Sequence, residues 1–218
     1  MNETINRARL ADQAYELLKD RILSRKLLPG QRLSVPALAQ ELNLSRSPIR
    51  EAVQRLVQEG LGTERPHQGA VVATADLSAL VHLYQVRAEL EGLSAELAAT
   101  SGGADLAAGL EQIHVDHRTA FENDEAAGLI RADTAFHSHI LAASGNPELT
   151  RILQPILQRV ALAMVAGGRN WPAHALAEHQ AVLDAVRVGD GALARARMTE
   201  HIARVRERLL SLLHEEEA

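Results

Sequence analysis

Apolar residues recur at the helical period of about 3.6 residues in three successive segments near the start of the chain. The first segment begins at Leu10 and is predicted to continue to the Pro29-Gly30 break, the second follows Ser34, and the third spans residues 44–61. After them, TERPHQGAVVA places a turn between two short extended runs, which is typical of a β-hairpin. This order of elements predicts a winged helix-turn-helix.

The third segment, LSRSPIREAVQRLVQEGL, combines an apolar face with a polar one. Arg46, Arg50 and Gln54 are spaced by four residues, and Ser47 with Pro48 is predicted to cap the helix. In a major groove, arginine can bind guanine with two hydrogen bonds and glutamine can do so with adenine, while Ser47 and the helix N-terminus suit phosphate. The alternative is the ordinary solvated face of an amphipathic helix. The apolar stripe consists of Ile49, Ala52, Val53, Leu56 and Val57.

The rest of the chain predicts six further helices and no strand, separated by breaks rich in glycine, asparagine and proline. We therefore expect a mainly α protein, with a winged helix-turn-helix domain over residues 1–75 and an all-α six-helix bundle over 76–218. The predicted helices cover residues 76–100, 105–123, 125–143, 147–167, 174–188 and 190–214.

Charge and composition support two domains with different partners. The formal net charge of −5 divides into +3 over residues 1–75 and −8 over residues 76–218, and nine of the ten histidines lie in the second part. The chain has no cysteine, which excludes disulfides and thiolate metal sites and favours a reducing interior. It also has no signal-peptide pattern and no apolar run of about 18 residues. We expect a cytoplasmic protein without a membrane partner.

Four residues of the second domain form a candidate metal site. Asp133 and His137 lie four residues apart on one predicted helix, while His179 and His201 lie on the last two helices. One carboxylate and three imidazoles suit Zn²⁺, Ni²⁺, Mn²⁺ or Fe²⁺. The alternative is that they are ordinary core or half-exposed histidines. That simpler interpretation is kept for His82, His114, His117, His139, His174 and His214.

The first domain resembles the DNA-binding domain of GntR-family transcription regulators. The resemblance is carried by LLPGQRLSVPALAQELNLSRSPIREAVQRLVQEGLGTERPHQGAVV, in which the Pro-Gly break, the Ser-Arg-Ser-Pro-Ile-Arg-Glu-Ala motif and the wing occur in the family's order. It implies that Arg46, Ser47 and Arg50 contact DNA. It also places three residues at the wing tip against DNA, namely His67, Gln68 and Gly69.

The second domain resembles the FCD ligand-binding domain of the FadR-type branch of this family, in its shorter, VanR-like form with six helices. The opening helix carries YQVRAELEGLSAELAA, and an Asp-x-x-x-His motif and two later histidines follow. The resemblance implies that Arg87 binds a ligand carboxylate, which a guanidinium can do with two hydrogen bonds. The alternative for Arg87 is a surface ion pair with Glu91. The implied metal ligands are Asp133, His137, His179 and His201.

Together these features predict a homodimeric bacterial transcription regulator, expected to be a repressor, that binds double-stranded operator DNA and a small organic-acid effector at or near a divalent metal. It is not expected to be an enzyme. Two alternatives remain at this point: a metal-dependent, hydrolase-like enzyme in which the metal activates water, and a dimer that binds DNA constitutively without an effector.

Overall fold

The first part of the chain folds as a winged helix-turn-helix, as predicted. The computed structural model describes residues 2–74, 77–167 and 174–216. The two wing strands pair antiparallel, and an isolated bridge joins Arg32 to Val71 beside them. The elements of this part, called the head, are α1 (Asn2–Leu23), α2 (Val35–Glu41), α3 (Arg46–Gln58), β1 (Gly62–Arg65) and β2 (Gly69–Val72).

The second part, called the body, contains the six predicted helices, and no strand occurs in it within the described ranges. The fold class is therefore confirmed. No helix among the described residues is long and apolar enough to span a membrane. The body helices are α4 (Leu77–Ser101), α5 (Gly103–Glu122), α6 (Ala126–Ala143), α7 (Pro147–Gly167), α8 (His174–Arg187) and α9 (Gly191–Glu216).

Two predicted helix boundaries in the head are wrong. Helix α1 ends at Leu23, well before the Pro29-Gly30 break, because Arg25 adopts a left-handed backbone conformation with φ of 59°. Helix α3 has Ser45 as its N-cap rather than Ser47. Pro48 is tolerated inside the first turn because the backbone N–H it lacks would have had no partner within the helix.

An aromatic and ionic cluster joins α1 to α3. Tyr15 is 1% exposed, and its hydroxyl donates a hydrogen bond to the carboxylate of Glu59. The guanidinium of Arg55 lies 3.8 Å from the centre of the Tyr15 ring and forms ion pairs with Glu59 and Asp12 at 2.8 and 3.2 Å. These contacts fix the orientation of α3 against α1 from one side, while the apolar stripe of α3 packs from the other.

Helix α7 joins the cores of the two parts. Leu162 is buried in the apolar core of the head, whereas its neighbours Ala161 and Ala163 belong to the core of the body. Leu23 at the end of α1 packs in the opposite direction, into the body core. The predicted domain limits, 1–75 and 76–218, remain a prediction, because residues 75–76 lie outside the described part of the chain.

Replacing Leu56 by alanine should destabilise the head strongly. Leu56 is fully buried among α1, α3 and the wing, so Leu56→Ala leaves a cavity that is expected to cost about 2–5 kcal/mol. Arg50→Ala changes the exposed face of the same helix and is expected to alter stability by less than about 0.5 kcal/mol. Urea denaturation of both variants measures the difference. Equal losses would show that the apolar stripe does not anchor α3.

Candidate metal centre and nucleic-acid interface

The body surrounds a small cavity of about 20 Å³ that opens to the solvent. Every one of the six body helices contributes at least one lining residue. The lining combines apolar residues with titratable groups, as is typical of a small-molecule site. The lining residues are Tyr84, Arg87, His117, Leu129, Asp133, Met164, Ala175, His201 and Val205.

At this cavity, the structure brings the three predicted histidine ligands together and places Asp133 near two of them. His137 on α6, His179 on α8 and His201 on α9 are each no more than 2% exposed, and one ring nitrogen of each lies within 4.8 Å of the others. The Oδ1 atom of Asp133 lies 3.7 Å from Nε2 of His179 and 3.9 Å from Nε2 of His137. Helices α6, α8 and α9 thus bring three imidazoles and a carboxylate close together.

Two buried glutamates orient the imidazoles. Nδ1 of His137 hydrogen-bonds to Glu91, and Nδ1 of His201 hydrogen-bonds to Glu178 at 2.7 Å. Burial alone would raise the pKa of Glu91, but Arg87 and His137 outweigh it and lower this pKa to about 2. The pKa of Glu178 is likewise about 2, because hydrogen bonds from His201 and Arg208 outweigh its burial. A carboxylate on Nδ1 leaves Nε2 available, which is the usual arrangement of metal-binding histidines.

His179 lacks such a partner. Both of its ring nitrogens are buried, and neither forms a hydrogen bond with any residue that the structure describes. Phe136 stacks on its ring at a centroid distance of 4.2 Å. Burial, reinforced by the nearby His201 and His137, lowers the pKa of His179 well below its ordinary value.

These observations test whether the residues fit a metal ion. Nε2 of His137 is also buried without a hydrogen bond in the described part of the chain. An unpartnered buried nitrogen is costly, and a neutral imidazole is the form that binds metal. The orphaned nitrogens of His137 and His179, together with the oriented His201, therefore fit a divalent transition metal.

Arg87 lies in the cavity wall, where the resemblance placed it. It is 2% exposed and forms an ion pair with Glu91. The ion pair of the alternative interpretation therefore exists, but it is buried and does not lie at the surface. The guanidinium carbon lies 5.0 Å from the centre of the Tyr84 ring. Arg87 thus holds Glu91, which in turn holds His137, and lines the space beside the metal candidates.

Sequence reasoning missed three buried residues of this site. Glu91 and Glu178 contact histidines that lie 46 and 23 residues away in sequence, a relation that no local pattern reveals. His117 is 4% exposed, and its ring lies 5.3 Å from that of His179. Nothing in the surrounding sequence distinguished His117 from the other histidines of the body, because its place in the cavity lining depends on how α5 packs.

The predicted DNA-contacting residues lie on the outside of the head. Arg46, Arg50 and Gln54 are exposed along α3, and the tip of the wing is exposed as well. His67 and Gly69 both have positive φ, 63° and 73°, which turns the chain between β1 and β2. The tip therefore presents backbone as well as side chains to the solvent.

The arginines of α3 differ in their partners. Arg46 and Arg50 form no ion pair with any residue in the described ranges, whereas Arg55 is held by Glu59 and Asp12. Ser47 is half-buried, and its hydroxyl donates to Glu51 at 3.3 Å. Two cations at the N-terminal end of α3 are thus available to an external anion.

Comparison with known families identifies the family to which a chain with this head and body belongs. A model of the FCD domain matches residues 82–204, more than half of the chain, and a model described as bacterial regulatory proteins, gntR family, matches residues 10–72. The chain belongs to the gntR family of bacterial regulatory proteins. As a member of that family it is a DNA-binding transcription regulator with an FCD domain, and not an enzyme.

Several relatives resemble the regulator over much or most of its length. The Nta operon transcriptional regulator of Aminobacter aminovorans is 31% identical over 140 residues, which cover 62% of this chain and 64% of that protein. The probable D-xylose utilization operon transcriptional repressor of Paenarthrobacter nicotinovorans is 26% identical over 206 residues, 93% of this chain and 89% of that one. The structure of E. coli McbR/YncC has the same fold, with a TM-score of 0.80 at 24% identity, covering 94% and 98% of the two chains.

The stability of the metal-free regulator should fall as the pH drops below 6.5. His179 stays neutral in the fold but takes up a proton in the unfolded chain below its ordinary pKa of 6.5. Its contribution is therefore complete above pH 6.5 and is lost as the pH falls from there towards the lowered folded-state pKa. His179 by itself adds up to about 1.4 kcal/mol per pH unit to the slope.

Urea denaturation between pH 7.5 and 5.5 in the presence of a chelator measures this slope. His179→Leu should reduce it, and His82→Leu, at an exposed position of α4, should leave it unchanged. An identical slope in His179→Leu and in the unaltered protein would contradict the assignment of a neutral, buried His179.

Proposed function

We propose that the regulator is a homodimeric repressor whose head, residues 1–75, binds a palindromic operator and whose body, residues 76–218, binds a small organic acid beside a divalent metal. The observation that carries the proposal is the convergence of three buried imidazoles next to a cavity lined by an arginine. A name among its relatives supports repression, since one of them is a probable transcriptional repressor. The regulator would act on bacterial DNA in the cytoplasm.

The head would read DNA with the N-terminal half of α3. Arg46, Arg50 and Gln54 would face base edges in the major groove, with Ser47 near a phosphate. His67, Gln68 and Gly69 would contact the adjoining backbone from the wing. The exposure of these residues and the absence of a described ion-pair partner for the two arginines support this arrangement.

Asp133, His137, His179 and His201 would hold the metal, which can be Zn²⁺, Ni²⁺, Mn²⁺ or Fe²⁺ on the chemistry of one carboxylate and three imidazoles. When bound, such an ion neutralises ligand charge and offers open coordination positions. Glu91 and Glu178 would keep the rings of His137 and His201 in position. Arg87 would hold the carboxylate of the effector with its guanidinium.

The effector would act by shifting the population of two arrangements of the paired heads. Met164 lines the cavity, and Leu162, two residues earlier on α7, is buried in the core of the head. A change at the cavity wall therefore has a short, packed route to the head. Its result would be a different fit of the two heads to half-sites about one helical turn apart.

An apolar face on α4 and α7 supports the homodimer. Val86 is 51% exposed and shares one face of α4 with Leu90 and Leu93, and Ile152 is 42% exposed on α7 one turn from Ile156. A second copy of the chain would cover this face, and two-fold pairing matches a palindromic operator.

Removing the two unpaired arginines of α3 should abolish specific DNA binding without unfolding the protein. Arg46→Ala together with Arg50→Ala is expected to weaken binding by at least about 100-fold, because each specific contact contributes roughly 1–3 kcal/mol. Gel shifts with the DNA adjoining the regulator's own gene measure the change. Arg151→Ala with Arg187→Ala, at exposed sites of the body, is the matched control. Unchanged affinity in the α3 variant would overturn its assignment as the recognition helix.

Replacing Glu178 by glutamine should weaken metal binding without removing a metal ligand. Glu178→Gln removes the charged partner of Nδ1 of His201, and an affinity loss of about 10–100-fold is expected. Competition with a chelator and elemental analysis measure affinity and stoichiometry. Glu200→Gln, next to His201 but on the exposed side of α9, should bind metal as the unaltered protein does. Failure of the unaltered protein to take up stoichiometric metal, even after reconstitution, would remove the site.

A further inference from the structure

The segment that precedes α2 forms a third strand beside the wing. Arg32 and Val71 face each other in an antiparallel bridge, and a backbone hydrogen bond of 2.8 Å flanks the pair on either side. Two residues that are opposed in this way have their side chains on the same face of the sheet. The backbone of Arg32 is therefore held in a fixed place next to β2, although this residue lies outside the hairpin itself.

The alternation of side chains along the strands gives this sheet a core face and an outer face. Leu33 and Val72 lie on the core face, since both belong to the apolar core of the head. The pairing register places the side chain of Arg32 on the opposite face, together with alternate residues of β1 and β2. The residues of this outer face are Arg32, Thr63, Arg65, Gly69 and Val71.

The outer face carries two positive charges and, among its described residues, no carboxylate. Arg32 and Arg65 are exposed, and neither forms an ion pair with any residue in the ranges that the structure describes. Glu64 is the acidic residue of β1, and the alternation directs it to the other face. Two arginines without a compensating acid create a positive potential that attracts an external anion.

Helix α2 has no positive charge to offer to DNA. In a helix-turn-helix, the first helix of the motif crosses the DNA backbone, where cations contact phosphates. Helix α2 contains no basic residue, and its Glu41 is paired with Arg21 at 2.7 Å. Arg32 lies three residues before the first residue of α2, and Arg65 is in register with Gly69 at the wing tip. The two guanidinium groups thus extend the positive surface from the wing tip towards the start of α2.

We propose that Arg32 and Arg65 bind phosphates of the DNA backbone and position the head on the duplex, supplying the charge neutralisation that α2 lacks. The inference rests on the DNA-binding function of the head and adds two residues that lie outside α3 and the wing tip. A guanidinium binds a phosphate with two hydrogen bonds. Because the phosphate is the same in every sequence, the two arginines contribute affinity and salt dependence but no sequence preference.

The salt dependence of DNA binding tests this role in the full-length protein. Arg32→Gln with Arg65→Gln removes both charges and keeps most of each side chain. Fluorescence anisotropy measures binding to the DNA adjoining the regulator's own gene and to a random-sequence duplex of the same length. The slope of log affinity against log salt concentration should become shallower by about 0.9 for each lost contact, or about 1.8 per bound head. Between about 50 and 200 mM KCl, the advantage of the unaltered protein should therefore shrink about 10-fold per bound head.

Two further measurements separate phosphate contact from base recognition and from a structural role. The ratio of the affinities for the two duplexes should stay unchanged in the glutamine variant, whereas the double alanine variant of α3 should lower it. Arg32→Lys with Arg65→Lys keeps the charges and should keep most of the salt slope. If the double glutamine variant does not fold, Arg65→Gln alone should reduce the slope by about 0.9.

A control removes the same number of charges from the body. Arg151→Gln with Arg187→Gln changes two exposed arginines far from the wing in sequence, and it should leave the salt slope as it is in the unaltered protein. A slope that falls equally in this control and in the wing variant would show a general effect of net charge and would refute the contacts.

The remaining outcomes also have defined meanings. An unchanged slope in the glutamine variant would refute the proposal and leave the recognition helix untouched. A loss of the preference for the operator in that variant would make the two arginines base-reading residues instead. Equal losses of affinity in the lysine and glutamine variants, with unchanged slopes, would make their role structural. If only the α3 variant behaves like the unaltered protein, the recognition helix is wrongly assigned while the phosphate contacts stand.

Discussion

Burying several imidazoles next to one another is costly unless their nitrogens find partners, and the body of this regulator is arranged around that constraint. Glu91 and Glu178 each fix one histidine through Nδ1. The two carboxylates would themselves be costly to bury, and each is held by an arginine, Arg87 on one side and Arg208 on the other. The result is two series of paired groups, Arg87–Glu91–His137 and Arg208–Glu178–His201, whereas neither ring nitrogen of His179 has a hydrogen-bond partner in the described part of the chain.

The same cavity lies close to the head. Helix α7 turns one side to the cavity through Met164 and inserts Leu162 into the head core. Since packed cores deform in discrete steps rather than continuously, the proposed effect of a ligand would reach the α1–α3 unit through a displacement of α7. The cluster of Tyr15, Arg55 and Glu59 holds α3 against α1 within that unit.

Much of the fold could be predicted because its determinants are local. The breaks at 101–103, 144–147 and 188–190 separate helices that the structure shows almost residue for residue. The errors arise where two neighbouring residues give the same signal. Ser45 and Ser47 both precede Pro48, and only the structure shows that Ser45 occupies the N-cap position of α3. Likewise, the early end of α1 depends on Arg25 in a conformation that its residue type does not favour.

The site was less predictable because it depends on contacts between residues that lie far apart in the sequence. The spacing of Asp133 and His137 indicated one shared helix face, but the approach of His179 and His201 depends on how α8 and α9 pack. Resemblance to a family supplied that information, since the spacing alone also allowed ordinary core histidines. It did not supply the glutamates or His117, whose significance lies in what they contact rather than in any motif.

Leu162 also bears on how such a protein could be assembled from parts. The hydrophobic core of the head includes a side chain that the body provides, so the head is completed by the module it is attached to. Exchange of heads between regulators by recombination would therefore succeed only between bodies that present a side chain of similar size at this point of α7. Substitutions at exposed positions of α3 can change operator specificity freely. The packed contact between head and body, by contrast, restricts which heads and bodies can be combined.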